Sequence, residues 1–238
     1  MRLPAAALLV LATATPAAAE APAGGIKGTV IFEGEAPDRP PLVRTSDAVC
    51  AKTSRLSEDI VVTKGKLRDV LVRVTVGAPP PPPTDESSRP APAVLEQREC
   101  MYAPRVFALQ PAQQIVVRNA DDTFHNIHGT LRGKDLFNKP HPKKSPEVKL
   151  EQPSDTTAGD VVELACDVHP WMHAYAVVVG NPYYAVTCED GSFEIKGLPP
   201  GRYTLEAYHP VLGTRTLDVQ VGKGNKAVAI ARLSYKRP

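Results

Sequence analysis

Residues 163 to 175 read ELACDVHPWMHAY and set Cys166, His169 and Met172 at steps of three. The stretch reads as a β-strand running into a loop, because VVELA before it and AYAVVVG after it are β-branched and apolar. In that short space the chain gathers a thiol, two imidazoles (His169 and His173), a thioether and its single tryptophan, Trp171. Three residues per step lets a tight loop turn three side chains toward one point.

Outward from that loop the apolar residues recur in short runs such as GIKGTVIFEG, DVLVRVTVG, QQIVVRN and YAVVVG, punctuated by Gly, Pro, Asn and Asp. No long helical period interrupts them, so the spacing predicts an all-β protein. The sharpest break is GAPPPPPTDESSRPAP, residues 77 to 92, whose proline run favours polyproline II and whose polar residues cannot build a core. It is a surface connector, readable as a join between domains or as a long loop between strands.

A thiolate, two imidazoles and a weak thioether suit copper cycling between two oxidation states. Beyond Cys166, His169 and Met172, the second imidazole is His125, placed at the end of a strand that begins at IVVRN. A sandwich would bring that strand end and the end of the Cys166 strand to one rim. Two readings compete: Cys166 as a buried thiol or disulfide partner, and zinc held by Cys166, His125, His169 and His173, which would leave Met172 without a role. His128, three positions from His125, points to the opposite face of a strand. His173 faces solvent or caps the loop. His141, in NKPHPKKS, is a loop residue, and the lysines around it, Lys134, Lys139, Lys143 and Lys144, form a solvated face or a docking border.

The first 22 residues, MRLPAAALLVLATATPAAAEAP, carry one positive charge, a short apolar run and an A-x-A pattern at Ala17 to Ala19. This predicts a signal peptide over residues 1 to 19, and hence a periplasmic or secreted protein. The apolar run falls short of the roughly 20 residues a membrane span needs. The net charge of +2 gives no reason to expect nucleic acid. Four cysteines, Cys50, Cys100, Cys166 and Cys188, remain to be explained in an oxidising space.

From about Ala93 to Gly180 the chain resembles the cupredoxin family and its amicyanin branch: FHNIH is similar to that branch's His-Asn-Val-His segment, and CDVHPWM to its Cys-x-x-His-Pro-Phe-Met loop. The resemblance implies a β-sandwich with one type 1 copper ion on His125, Cys166, His169 and Met172, with Asn126 bracing the ligand loops. It also implies single-electron exchange with periplasmic redox proteins, a cytochrome c or a dehydrogenase. In that family the edge of the later histidine emerges through an apolar patch, so Trp171 would flank the exit at His169 and the lysine loop would attract an acidic partner.

The C-terminal stretch has strict alternation in SFEIKG and YTLEAYH. With DGSFEI (190 to 195) and LPPGRY (198 to 203) it resembles the carboxypeptidase regulatory-like, or transthyretin-like, sandwich, a non-catalytic module. That module's opening strands are absent there, but IKGTVIFEGEAP and LRDVLVRVTVG in the N-terminal region are candidates. The resulting expectation is one discontinuous sandwich from residues 24 to 78 and 181 to 238, a linker over 79 to 92, and a copper domain over 93 to 180 inserted between. The whole order resembles exported bacterial methylamine-utilisation proteins. That likeness implies a Cys50 to Cys100 disulfide and, because Arg105 stands where those proteins often have His, puts a second metal site there in doubt. Cys188 is then a buried thiol or an alternative partner for Cys50.

Three functions follow from different classes: an electron carrier, a copper chaperone or store, and a surface module that binds carbohydrate or protein through tyrosines such as Tyr183, Tyr184, Tyr203 and Tyr208 with the metal structural. No nucleophile elbow is present and type 1 copper offers a substrate no open position, so the reading is a non-enzyme.

Overall fold

The computed structural model describes residues 24 to 80, 90 to 110, 113 to 152, 155 to 223 and 228 to 236. The expected signal peptide over 1 to 19 and the middle of the proline run, residues 81 to 89, lie outside them. Among the described residues the regular elements are strands, apart from one 3-10 turn at Cys50–Lys52, and no helix is long and apolar enough to cross a membrane. The fold is all-β.

Among the described residues four sheets enclose two main cores. In the first core, the strand Gly24–Glu33 lies between Ser192–Leu198, antiparallel, and Val228–Lys236, parallel. The facing sheet runs Tyr184–Val186, Leu71–Val76, Gly201–His209, Gly213–Val221. Strict alternation builds it: Tyr203, Leu205, Ala207 and His209 are buried, while Thr204, Glu206 and Tyr208 between them are only partly so. The core that results draws Ile26, Leu67 and Val72 from one end of the chain and Ile195, Leu205 and Leu233 from the other.

The second core is drawn from residues 95 to 176, plus Cys50. One of its sheets runs Lys134–His141, His125–Leu131, Val161–Ala165, His173–Val178, Val106–Leu109; the other runs Val148–Leu150, Ile115–Asn119, Ala93–Arg98, Met101–Ala103. In the first of these, Gly129 sits opposite Phe137, and a Cβ on Gly129 would stand 2.3 Å from the Phe137 ring. Only glycine lets that ring come so close to the strand that His125 opens. A smaller cluster of Leu71, Val106, Val177 and Val179 joins the two cores.

The Cys50–Cys100 disulfide is formed. It ties the N-terminal segment to the second core, closing a loop that chain entropy values at about 4 kcal/mol. Cys188 is exposed, where burial was expected, because it lies at the Cys188 to Gly191 turn that leads into the strand Ser192–Leu198.

Candidate metal centre

The loop after Val161–Ala165 is closed by three backbone hydrogen bonds, His169 N to Cys166 O, Met172 N to His169 O, and Cys166 N to Met172 O. Two successive turns put residues 166, 169 and 172 on one side, and Pro170 sits at the second position of the latter turn, where its fixed φ fits. His125 opens the strand His125–Leu131, whereas the sequence placed it at the end of the strand that starts at Ile115; that strand stops at Asn119. The pairing of Val161–Ala165 with His125–Leu131 brings the two ligand segments to one rim. Tyr102 holds the rim from behind, its hydroxyl donating to Asn126 O at 2.7 Å with Ala165 O at 3.3 Å.

Three donors converge there. Nδ1 of His125 lies 2.9 Å from Nδ1 of His169, and Sγ of Cys166 lies 3.9 Å and 3.7 Å from them. A first-row ion bound about 2.0 Å from nitrogen and about 2.3 Å from sulfur at trigonal angles needs a sulfur–nitrogen separation of about 3.7 Å. Each imidazole also has its other nitrogen on a carboxylate: His125 Nε2 is 3.0 Å from Asp121 Oδ2, and His169 Nε2 is 3.3 Å from Asp47 Oδ2. With protons on both Nε2 atoms, two bare Nδ1 lone pairs face one another and a sulfur, an arrangement that calls for a cation between them. Met172 is fully buried in the same apolar cluster as Cys166.

Burial alone pushes the Cys166 thiol up, but His125 and the backbone at Asn126 and Val168 outweigh it and bring it below the usual thiol value. Burial opposes protonation of His125, yet Asp121 and Cys166 hold it above the usual imidazole value; burial and His125 push His169 below it against Asp47. Burial also opposes ionisation of Asp47, and hydrogen bonds from Thr123, Cys50 N, Val49 N and His169 bring it down to about 2.

Asn126 accepts from Asp167 N at 2.8 Å and donates to Asp167 Oδ2 at 2.7 Å and Asn138 Oδ1 at 2.8 Å, so it clasps the ligand loop. His128 lies on the other face, between Asp167 and Asp135 at 2.9 and 3.0 Å. His173 donates through Nε2 to Pro170 O at 2.8 Å and is not brought to the three donors. His141 differs from expectation: it ends the strand Lys134–His141 directly opposite His125, fully buried, with no side-chain partner on either ring nitrogen. Arg105 is buried in an ion pair with Asp59 at 3.0 Å, its guanidinium over the Tyr175 ring.

The expected exit at His169 is closed. His169 is only 3% exposed, its Nε2 edge covered by Asp47 and by Cys50 Sγ at 3.5 Å. Trp171 is half-buried, its indole N–H donating to Cys100 O at 2.9 Å, with Arg44 5.8 Å over its ring. Sequence reasoning missed Asp47, Asp121 and Tyr102. Asp121, four residues before His125, left a trace in the sequence; Asp47 did not, because the segment bearing it belongs to no motif.

No protein-family model matches the chain, and no curated protein does. Among solved structures the chain is similar to a purple cupredoxin from Nitrosopumilus maritimus, with 21% identity over 36% of this chain and 98% of that one and a TM-score of 0.31. It is similar also to an oxidised proline-to-glycine variant of amicyanin, with 22% identity over 44% of this chain and 98% of that one and a TM-score of 0.32.

Proposed function

We propose that the chain binds one copper ion through His125, Cys166, His169 and Met172 and carries single electrons between redox partners outside the cytoplasm. The observation that carries this reading is the meeting of two carboxylate-backed imidazoles and a thiol of lowered pKa within 4 Å of one another. Two nitrogens and a thiolate, with a thioether buried in the same cluster as the thiol, suit copper better than zinc, which would seek a fourth strong donor; His173, the candidate for that place, bonds to the backbone instead. When bound, copper supplies a one-electron couple. The chain's part is to hold the donors in place, exclude water from them and leave no position for a substrate, which makes it a carrier rather than an enzyme. Burial of all four side chains favours retention of the ion over a store that must give it up.

The partners in this reading are acidic redox proteins, a cytochrome c or a dehydrogenase, reached after export directed by residues 1 to 19. Lys143 and Lys144, exposed beside Asp122, offer the positive border. The deciding experiment is the visible spectrum of the copper-loaded protein. An intense thiolate-to-copper band that Cys166→Ser abolishes is the expected result, and Met172→Gln should keep the colour and lower the reduction potential, since a harder oxygen donor favours Cu(II). A colourless Cu(II) form, or tightly held zinc in the isolated protein, would overturn the proposal.

A further inference from the structure

The three converging donors belong to residues 125 to 169, but neither carboxylate that grips the far side of the two imidazoles comes from there. Asp121 Oδ2, next to His125 Nε2, also accepts from Cys100 N at 2.8 Å, while its Oδ1 accepts from Glu99 N at 2.6 Å. Asp47 repeats the pattern at the other ring. Its Oδ2 faces His169 Nε2 and accepts from Thr123 Oγ1 at 2.6 Å, while its Oδ1 accepts from Val49 N at 2.7 Å and Cys50 N at 3.1 Å. Each carboxylate therefore holds one imidazole and one half of the Cys50–Cys100 disulfide.

The segment carrying Asp47 is a strap laid over the site. Its ends are drawn together by Leu42 N to Arg55 O and Ser57 N to Pro40 O, both 2.8 Å. Arg44 pins its middle, donating to Thr53 O and to Glu99 O and lying over Trp171. With four hydrogen bonds converging on its carboxylate, Asp47 has one rotamer and one direction to offer His169.

We infer that Asp47 is a positioning residue of the centre, carried from the N-terminal segment by the strap and its disulfide, which fixes the His169 proton on Nε2 and leaves Nδ1 bare toward the metal. The inference rests on the copper reading for the identity of the ion, but the positioning itself is a property of the chain. A carboxylate on the outer nitrogen raises the basicity of the inner one, and loss of such partners typically costs 10- to 100-fold in metal affinity. That added basicity favours Cu(II) over Cu(I) and so holds the potential down.

Asp47→Ala, Asp47→Asn and, as an exposed control of the same charge, Asp122→Asn test this by two readouts. In the metal-free protein, imidazole 15N shifts should show His169 protonated at Nε2 in the parent chain and in Asp47→Asn, which keeps an acceptor oxygen, and a mixture of tautomers in Asp47→Ala. In the copper-loaded protein, Asp47→Ala should lose roughly 10- to 100-fold of Cu(II) affinity relative to Cu(I) and rise in potential by about 59 mV per tenfold. Asp47→Asn should fall between, and Asp122→Asn should match the parent. Tautomer and potential both unmoved in Asp47→Ala would overturn the inference, as would equal shifts in Asp122→Asn. If the tautomer moves but copper gives no visible band, Asp47 positions His169 as stated and it is the copper reading that fails.

Discussion

Nδ1 of His125 and Nδ1 of His169 stand 2.9 Å apart while the opposite nitrogen of each ring lies against an aspartate. Strand pairing, a turn and two carboxylates hold this approach inside a buried site. In the copper reading the native fold binds a metal that the unfolded chain, with its donors far apart, holds weakly. Copper loading should raise the unfolding temperature, and at 1,000 times the dissociation constant the linkage amounts to about 4 kcal/mol. His125→Ala should lose most of that gain. A calorimetric scan in which chelation leaves the parent's unfolding temperature unchanged would speak against a built metal site.

The first core depends on chain segments far apart in sequence. Gly24–Glu33 pairs with Ser192–Leu198 and Val228–Lys236, and Leu71–Val76 pairs with Gly201–His209. We propose that residues 24 to 78 and 181 to 238 fold as one unit, with 93 to 180 as a second. A protease site introduced between Pro80 and Pro90 should then yield two pieces that co-elute in size exclusion, even after reduction of Cys50–Cys100, and part only in denaturant. Separation of a folded fragment from residues 24 to 80 on reduction alone would refute the shared unit.

His209 offers a test by pH. It is buried at the end of Gly201–His209, its Nδ1 accepting from Val211 N and Leu212 N at 3.2 Å. Burial, and then Arg105, push its pKa down to about 4, against a smaller pull from Asp59. The unfolded chain takes up this proton near pH 6.5 and the native one only near 4, so between those values the unfolded state binds more protons and stability falls as pH falls. This group's share of the loss is about 3 kcal/mol. In urea titrations at pH 7 and pH 4.5, the stability gap between the parent and His209→Gln should narrow at the lower pH. A constant gap would place the titration elsewhere.

The sequence by itself determined the all-β class, because runs of β-branched residues broken by Gly, Pro and Asn suit pleated sheets and leave no helical face. Its motifs also set Cys166, His169 and Met172 together as candidates, since three side chains at steps of three on two successive turns are related by local geometry alone; the convergence of the first two with His125 is then a matter of which strands pair. Tertiary structure alone decided what surrounds them. His141 looked like a loop residue amid lysines, yet pairing with His125–Leu131 buries it opposite His125. Asp47 comes to His169 across a separation of 122 residues, through a strap whose course is set by a disulfide and by hydrogen bonds rather than by any period in the chain. The closed edge of His169 follows from the same cause: exposure is a property of what packs against a side chain, and here that is a segment whose own residues give no sign of where they will lie.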